Sequence, residues 1–317
     1  PTYPITEGKA ARIMTGAPVP EGADAIIMHE RTSFTENTVT LTAPVTSANI
    51  IPPGEDVKAG TLLVPKGKIL TASDLALIAG QGIAEIGVYK KLSIGLISTG
   101  SELLNTGSPL EYGKIYNTNP YLLSGYIQKH HMTANYLNTV SDDLDSLCRA
   151  VLEALKTNDV VITTGGVSAG DFDYMPEVIR RIGGDLLFHR LKFKPGGAML
   201  GAFKDGKVIL GLSGNPGAAA TGLLCVGFPF MRKLSGRSDI TFSQTTAYLG
   251  VDFKKSSPVT RILKGHSDFK NGMLYFTPLS NQHNGSVSSM SDCDLLAIIP
   301  AGSKPLAAGD KLEVYIL

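Results

Sequence analysis

Two hydrophobic periods run through this chain, and the points where one gives way to the other divide it. From Leu92 onward, short continuous apolar runs alternate with stretches of helical spacing. Ser93–Ser98 and Val160–Thr163 predict strands, and Thr133–Val140, Leu187–Phe193 and Val208–Leu212 predict further extended segments. Between them, Asn119–Lys129, Asp143–Leu155 and Tyr174–Ile182 predict helices, the first capped by Asn117 or Asn119, and another helix opens at Asn215. Leu144, Leu147, Val151 and Leu155 share one helical face. Strand and helix in alternation argue for a mostly parallel sheet covered on both faces.

Outside this region the helical period is weak. Residues 9–48 read as a small β-rich domain, with short extended runs at Ala10–Met14, Ala25–Met28 and Thr38–Leu41 separated by the turn-rich Gly16-Ala-Pro-Val-Pro-Glu-Gly22 and by Asn37. Residues 1–8 and 49–91 form the remainder of a linking domain, punctuated by Pro52, Pro53, Gly54, Gly60 and Gly67, with a capped helix beginning near Thr71–Asp74 and a strand at Glu85–Tyr89. Beyond Gly236 the runs Thr245–Val251, Arg261–Lys264, Met273–Pro278, Leu295–Pro300 and Lys311–Ile316 predict a small β-barrel or sandwich. The expected organisation is multidomain α/β plus β: a central three-layer α/β domain at 92–238, flanked by the small β-rich domain and by a C-terminal barrel-like domain at 239–317.

Composition sharpens this picture. The 35 glycines in 317 residues exceed the usual ~7% without any Gly-X-Y period, so the surplus belongs in turns and ligand loops. A balance of 29 Lys+Arg against 28 Asp+Glu removes bulk charge as an argument for nucleic acid or a membrane surface as partner. Cys148, Cys225 and Cys293 follow no metal-ligand spacing and fit a reduced, cytoplasmic protein. The longest apolar run, Val208–Phe230, is broken by Ser213, Asn215, Pro216 and five glycines, which makes it a poor membrane span. No signal peptide is visible, and the text opens at Pro1 inside what reads as a folded segment, so a longer parent polypeptide is expected.

In an open α/β sheet, ligands bind beyond the carboxyl ends of the strands. Four loops qualify: Ser98-Thr-Gly-Ser-Glu-Leu103, Thr164-Gly-Gly-Val-Ser-Ala-Gly-Asp-Phe-Asp173, Lys194-Pro-Gly-Gly197 and Leu212-Ser-Gly-Asn-Pro216. Glycines there let main-chain N–H groups approach a phosphate or a pterin, and Asp171 or Asp173 could add a metal ligand. Asp142-Asp143 opens a helix, where capping is the plainer reading. Asp56 could serve a turn, Glu102 stands just past a strand end, and Lys192 and Lys194 suit either a solvated face or a phosphate clamp. His130 and His131 are adjacent on a helix, which argues against joint metal ligation. Ser168 lacks the G-x-S-x-G setting of a serine hydrolase.

Taken together and in order, these segments resemble the MoeA (molybdopterin molybdenumtransferase) family, related to the C-terminal region of gephyrin. The resemblance rests on Arg12-Ile-Met-Thr-Gly-Ala-Pro-Val-Pro-Glu-Gly-Ala-Asp24, Gly54-Glu-Asp-Val57, Ser98–Leu103, Ile115-Tyr-Asn-Thr-Asn119, Asp142-Asp143, Thr164–Tyr174, Lys194-Pro-Gly196, Ser213-Gly-Asn-Pro216 and Asn284-Gly-Ser-Val-Ser-Ser-Met290. It implies a MogA-like central domain and a metal-dependent transferase that inserts molybdate into adenylylated molybdopterin and releases AMP, working as a homodimer with its active site between subunits. The residues so implied as catalytic are Asp56, Glu102, Asp142 and Asp173, with Glu102, Asp142 and Asp173 holding Mg²⁺. Thr15, Thr99, Gly165, Gly166, Ser168, Arg190, Lys194, Gly214, Asn215, Arg261 and Ser286 would bind substrate. The pathway's adenylyltransferase and apo molybdoenzymes are the further partners implied. The chain departs from the family at Gly197, where the family has lysine, at Ser101, where it has aspartate, and in lacking the family's Met-Asp-Gly segment. Two other readings compete: a molybdopterin-binding scaffold without turnover, and an adenylyltransferase that shares the α/β domain. Four carboxylates around one anionic ligand favour a catalyst that uses a cation over a scaffold.

Overall fold

The structure, a computed structural model, describes residues 4–167 and 173–317. It divides into two compact units, Pro1–Val64 and Pro65–Leu317.

In the first unit a single 3₁₀ turn, His29–Arg31, leads into the hairpin β1 (Thr32–Phe34) and β2 (Val39–Leu41), paired antiparallel with Thr32 opposite Leu41. The Thr35 and Thr38 hydroxyls meet across its turn at 2.7 Å. The strand expected at Ala10–Met14 does not form, and of Ala25–Met28 only the bridge Ile26 to Thr46 remains. Prolines 18 and 20 cannot donate ladder hydrogen bonds, and the left-handed glycines 16 and 22 turn the chain instead.

The second unit opens with α1 (Ala72–Gly80), started by a reciprocal cap in which the Thr71 hydroxyl accepts from Asp74 N–H and the Asp74 carboxylate accepts from Thr71 N–H. No strand forms at Glu85–Tyr89, which is exposed along its length with no ladder partner. The chain then runs β3 (Ser93–Thr99), β4 (Leu103–Leu104), β5 (Ile115–Tyr116), α2 (Asn119–Lys129), β6 (Thr133–Val140), α3 (Leu144–Thr157), β7 (Val160–Thr164), α4 (Met175–Arg181), β8 (Asp185–His189), β9 (Phe193–Lys194), β10 (Leu200–Lys204) and β11 (Lys207–Leu212). A continuous rod follows, α5 (Pro216–Gly222) passing through a π-turn at Leu223–Gly227 into α6 (Phe228–Leu234).

The central sheet has the order β6-β3-β7-β11-β10-β8, parallel from β6 to β11 and antiparallel at the β11–β10 and β10–β8 pairings. Period-2 alternation sorts its side chains. Ile94, Leu96, Val160, Ile162, Val208 and Leu210 pack against α2, α5 and α6, whereas Ile97, Val161 and Ile209 pack against α3 and α4. Strand β10 was not expected, because Gly201 interrupts its apolar pattern just after the Gly196-Gly197 turn, and the extended run expected over Leu187–Phe193 divides into β8 and β9. At the start of α2 the N-cap position is Thr118, and neither Asn117 nor Asn119 caps.

The C-terminal region comprises β12 (Gln244–Leu249), β13 (Thr260–Lys270), β14 (Met273–Pro278), α7 (Ser288–Ser291), β15 (Leu295–Ile299) and β16 (Lys311–Ile316). Pairing in the order β14-β12-β16-β15-β13, with β13 returning to β14, closes a five-stranded barrel around Leu249, Leu263, Phe276 and Val314. The outer barrel residues Ile262, Met290 and Leu296 join the same apolar cluster as α5 and α6, and β9 extends the sheet along β13. Barrel and α/β layer therefore share a core. Among the described residues no helix is long and apolar enough to cross a membrane.

One buried cation sets a pH limit on this core. Arg232 donates to Thr241 O at 2.7 Å, lies 4.3 Å from the Phe242 ring centroid, and has Nη2 3.2 Å from His130 Nδ1. Arginine can only donate, so His130 must accept there as neutral imidazole. Burial, reinforced by the Arg232 charge, pushes the His130 pKa down to about 4. The unfolded chain takes up this proton near its ordinary pKa, so the stabilisation is complete above about pH 6.5 and is lost as pH falls towards 4. Urea unfolding at pH 7.5 and pH 5 should show about 2 kcal/mol lost to this site, and His130→Gln, which keeps an acceptor, should remove that part of the slope.

Candidate active site

The strand order places a crevice between β3 and β7. From β3 the chain passes through α2 to β6 on one side, while β7 lies on the other side of β3 and leads to α4. Because α2 and α4 belong to opposite core layers, the two connections diverge at the carboxyl ends of β3 and β7. Polar residues floor the gap: buried Thr99 donates its hydroxyl to Thr164 O at 3.3 Å, and the Thr164 hydroxyl lies 3.3 Å from Ser98 Oγ. Gly165 follows in the left-handed region at φ 99°, and a Cβ there would overlap the Thr99 hydroxyl and lie 2.8 Å from Thr99 O. Gly166, at φ 66°, accepts from Met175 N–H at 3.2 Å and ties the loop back to α4. Ser168 lies outside the described residues.

The acids separate into two groups. Asp143 caps α3, its carboxylate accepting from Ser146 N–H at 2.9 Å, and hydrogen bonding to the Ser146 side chain and N–H holds its pKa below the usual range. Its neighbour Asp142 is thereby freed and accepts from Ser101 N–H at 3.3 Å, on the turn that carries Glu102. The exposed Glu102 carboxylate folds back over Gly100, whose Cβ would sit 2.7 Å from Glu102 Oε2. These two carboxylates share one turn and could share a cation. Asp173 instead faces bases, with Oδ2 3.3 Å from His189 Nε2 and 3.7 Å from Arg190 Nη2. Burial raises its pKa against the pull of both neighbours. Its Oδ1 is buried without a partner among the described residues, and His189 Nε2 is off the line of a proper hydrogen bond. Among the described residues no three His, Cys, Asp or Glu side chains come together as a ready metal site.

The bases approach along a second line. Arg190 adopts a left-handed conformation at φ 66°, uncommon for a residue with a side chain. Lys194 on β9 is exposed and pairs in register with Arg261 on β13, so the α/β and barrel regions each present one cation at this seam. Arg261 donates to Ser257 Oγ at 3.3 Å. At Gly197 a Cβ would overlap the Phe193 and Leu191 carbonyl oxygens, because Gly197 O also accepts from Leu191 and Met199 N–H within the same tight loop. A lysine at 197 therefore cannot be accommodated without moving the main chain.

Gly214 and Asn215 complete the rim and join it to the barrel. Gly214 stands opposite Gly165, with 3.6 Å between its Cβ position and Gly165 Cα. Ala218 N–H donates to Asn284 O at 3.2 Å, and Asn215 Oδ1 is 3.4 Å from the Cβ position of Gly285, which brings the Asn284–Ser286 loop onto the start of α5. Ser286 accepts from Asn281 Nδ2 at 2.9 Å and from Ser289 N–H at 3.1 Å, so its hydroxyl also organises that loop. The sequence left Lys264 unremarked and offered Asn119 only as a helix cap. Lys264 is fully buried, its ammonium bonded to His283 O at 3.2 Å and to Ser289 Oγ, and burial lowers its pKa. Asn119 donates Nδ2 to Gly214 O at 2.8 Å. Each acts through a partner remote in sequence, though Asn119 already stood inside a recognisable segment. Thr15 and Asp56 lie in the first unit, both exposed, Thr15 inside the turn closed by Ala17 N–H to Met14 O at 3.0 Å.

Comparison with known proteins gives one consistent result. Residues 95–233 match the family described as "Probable molybdopterin binding domain", residues 1–82 the "MoeA N-terminal region (domain I and II)" and residues 246–317 the "MoeA C-terminal region (domain IV)". The chain is 36% identical to a molybdopterin molybdenumtransferase of Staphylococcus aureus over 98% of its own length and 75% of that protein's. It is 37% identical to the Bacillus subtilis protein of that name, over 98% of this chain and 73% of the other. A crystal structure of a molybdopterin biosynthesis MoeA protein from Pyrococcus horikoshii superposes with a TM-score of 0.82 at 27% identity, covering 100% of this chain and 78% of that one.

The packing at Gly165 makes a direct prediction. Gly165→Ala should lower stability by about 2–4 kcal/mol in urea unfolding, through strain at a positive φ and overlap with Thr99. Gly214→Ala, which meets only an ordinary contact, should stay within about 1 kcal/mol of the native protein.

Proposed function

This chain belongs to the MoeA family of molybdopterin molybdenumtransferases, enzymes of molybdenum cofactor biosynthesis, and on that premise we propose that it inserts molybdenum from molybdate into adenylylated molybdopterin and releases AMP. The observation that carries this reading is the crevice between β3 and β7, backed by Gly165, which admits no side chain, and flanked by Asp142 and the turn that carries Glu102. Such a site suits a flat heterocycle joined to phosphates, which main-chain N–H groups can approach closely.

The bond changes balance simply. Two molybdenum–sulfur bonds form to the dithiolene, the two thiol protons leave with one oxo group of molybdate as water, and a second water cleaves the phosphoanhydride to AMP and the phosphate monoester. Lys194 and Arg261 stand where paired cations would hold an oxyanion. Arg190 and His189 keep Asp173 oriented. Glu102 and Asp142 are the residues that would hold Mg²⁺, without the Asp173 expected beside them, which faces His189 and Arg190 instead, and the ion, when bound, would supply neutralisation of phosphate oxygens. Thr99, Gly165, Gly166 and Gly214 line the heterocycle and phosphate side, Asn215 and Ser286 the barrel side, and Ser168, Thr15 and Asp56 belong to the same proposed set. We assign the active form to a homodimer whose partner subunit completes the site.

Protein supplied with adenylylated molybdopterin, molybdate and Mg²⁺ should release AMP and yield cofactor that activates an apo molybdoenzyme. Glu102→Gln should slow AMP release about 100-fold or more with the fold intact by circular dichroism. Tight substrate binding without AMP release would mark a binding homologue and overturn this reading.

A further inference from the structure

Asn117 and Asn119 flank the start of α2 at the carboxyl edge of the sheet, and both are almost completely buried, at 3% and 4% exposure. In both, the side-chain oxygen Oδ1 lacks a hydrogen-bond partner among the described residues. Buried carboxamide oxygens are normally paired, so each calls for an explanation.

The two cases differ in a way that geometry decides. Asn117 Nδ2 lies 3.3 Å from the Thr139 hydroxyl and 3.5 Å from the Tyr136 hydroxyl. Hydroxyls donate as well as accept, so turning the amide over would satisfy the Asn117 oxygen. Asn119 has no such exit. Its Nδ2 meets the main-chain carbonyl of Gly214 at 2.8 Å, and a carbonyl only accepts, so the amide orientation is fixed and Oδ1 is left as an acceptor without a donor among the described residues. Gly214 is the residue that faces Gly165 across the rim, so the Asn119 side chain is anchored to a loop that borders the crevice.

We propose that Asn119 is a specificity-determining residue of this site, its Oδ1 accepting a hydrogen bond from an N–H on the edge of the substrate's fused nitrogen heterocycle while its Nδ2 holds the Gly214 loop in place. The proposal rests on the functional reading above, since it needs a heterocyclic substrate in that crevice. An amino group on the pterin or on the adenine supplies the same donor, and the test separates them.

The test uses full-length protein and two pairs of probes measured by calorimetry: AMP against N6,N6-dimethyl-AMP, and 6-hydroxymethylpterin against its 2-dimethylamino derivative. The native protein should bind the methylated member of one pair at least tenfold more weakly, and the pair affected identifies the ring that Asn119 reads. In Asn119→Ala that ratio should fall to near one, while affinity for molybdate stays within about twofold of native. Loss of discrimination by the native protein, failure of both unmethylated probes to bind, or a ratio that survives in Asn119→Ala would overturn the assignment. The native comparison does not depend on the variant folding. AMP release measured on the same native preparation separates the two failures: an active enzyme that does not discriminate refutes the role of Asn119 alone, and discrimination without turnover refutes the transferase reading alone.

Discussion

The crevice depends on how closely Gly165 lies against Thr99. At the end of β7 the main chain must turn in a left-handed conformation directly over the carbonyl and hydroxyl of the neighbouring strand's last residue, and no Cβ fits there. The same contact lets the Thr99 hydroxyl bond to Thr164 O, so two adjacent parallel strands are joined at the level where their connections part. Everything proposed for the site follows from this join. The loop after β3 carries Glu102 and meets Asp142, the loop after β7 leads to Asp173, and the loop after β11 closes from the side through Gly214.

A second feature is the integration of the barrel with the α/β layer. Ile262, Met290 and Leu296 are packed in one cluster with Leu223, Leu224 and Phe228, and β9 hydrogen-bonds along β13. Lys194 and Arg261 are thus side by side through backbone pairing and not through a flexible loop. Lys264, on the same strand as Arg261, bonds to His283 O and Ser289 Oγ and secures the loop that carries Ser286. A buried ammonium is costly unless its hydrogen bonds are satisfied, so this lysine holds the loop rigidly.

Much of the α/β region was legible from residue order. Continuous apolar runs marked β3, β7 and β11, and the spacing of Leu147, Val151 and Leu155 marked α3, because burial on both faces of a sheet leaves a pattern that needs no tertiary knowledge. Asp142 and Asp143 looked equivalent in sequence, yet only Asp143 caps α3, and that division of labour was settled by backbone direction. Strand β10 was hidden by its glycine, and of the first unit's expected strands Thr38–Leu41 formed as β2 while Ala10–Met14 and Ala25–Met28 did not, because prolines and left-handed glycines outweigh short apolar runs. The role of Asn119 could not be read at all, since Gly214, its partner, is 95 positions away. Lys264 was invisible for a related reason: a lysine among strand residues reads as surface until its burial is seen.

The most direct measurement is a crystal structure of the protein grown with AMP and molybdate. The phosphate of AMP should lie within hydrogen-bonding distance of main-chain N–H groups in the loops after β3 and β7, with molybdate beside Lys194 and Arg261. Well-ordered AMP bound elsewhere on the protein, with the crevice between β3 and β7 filled only by water, would contradict it.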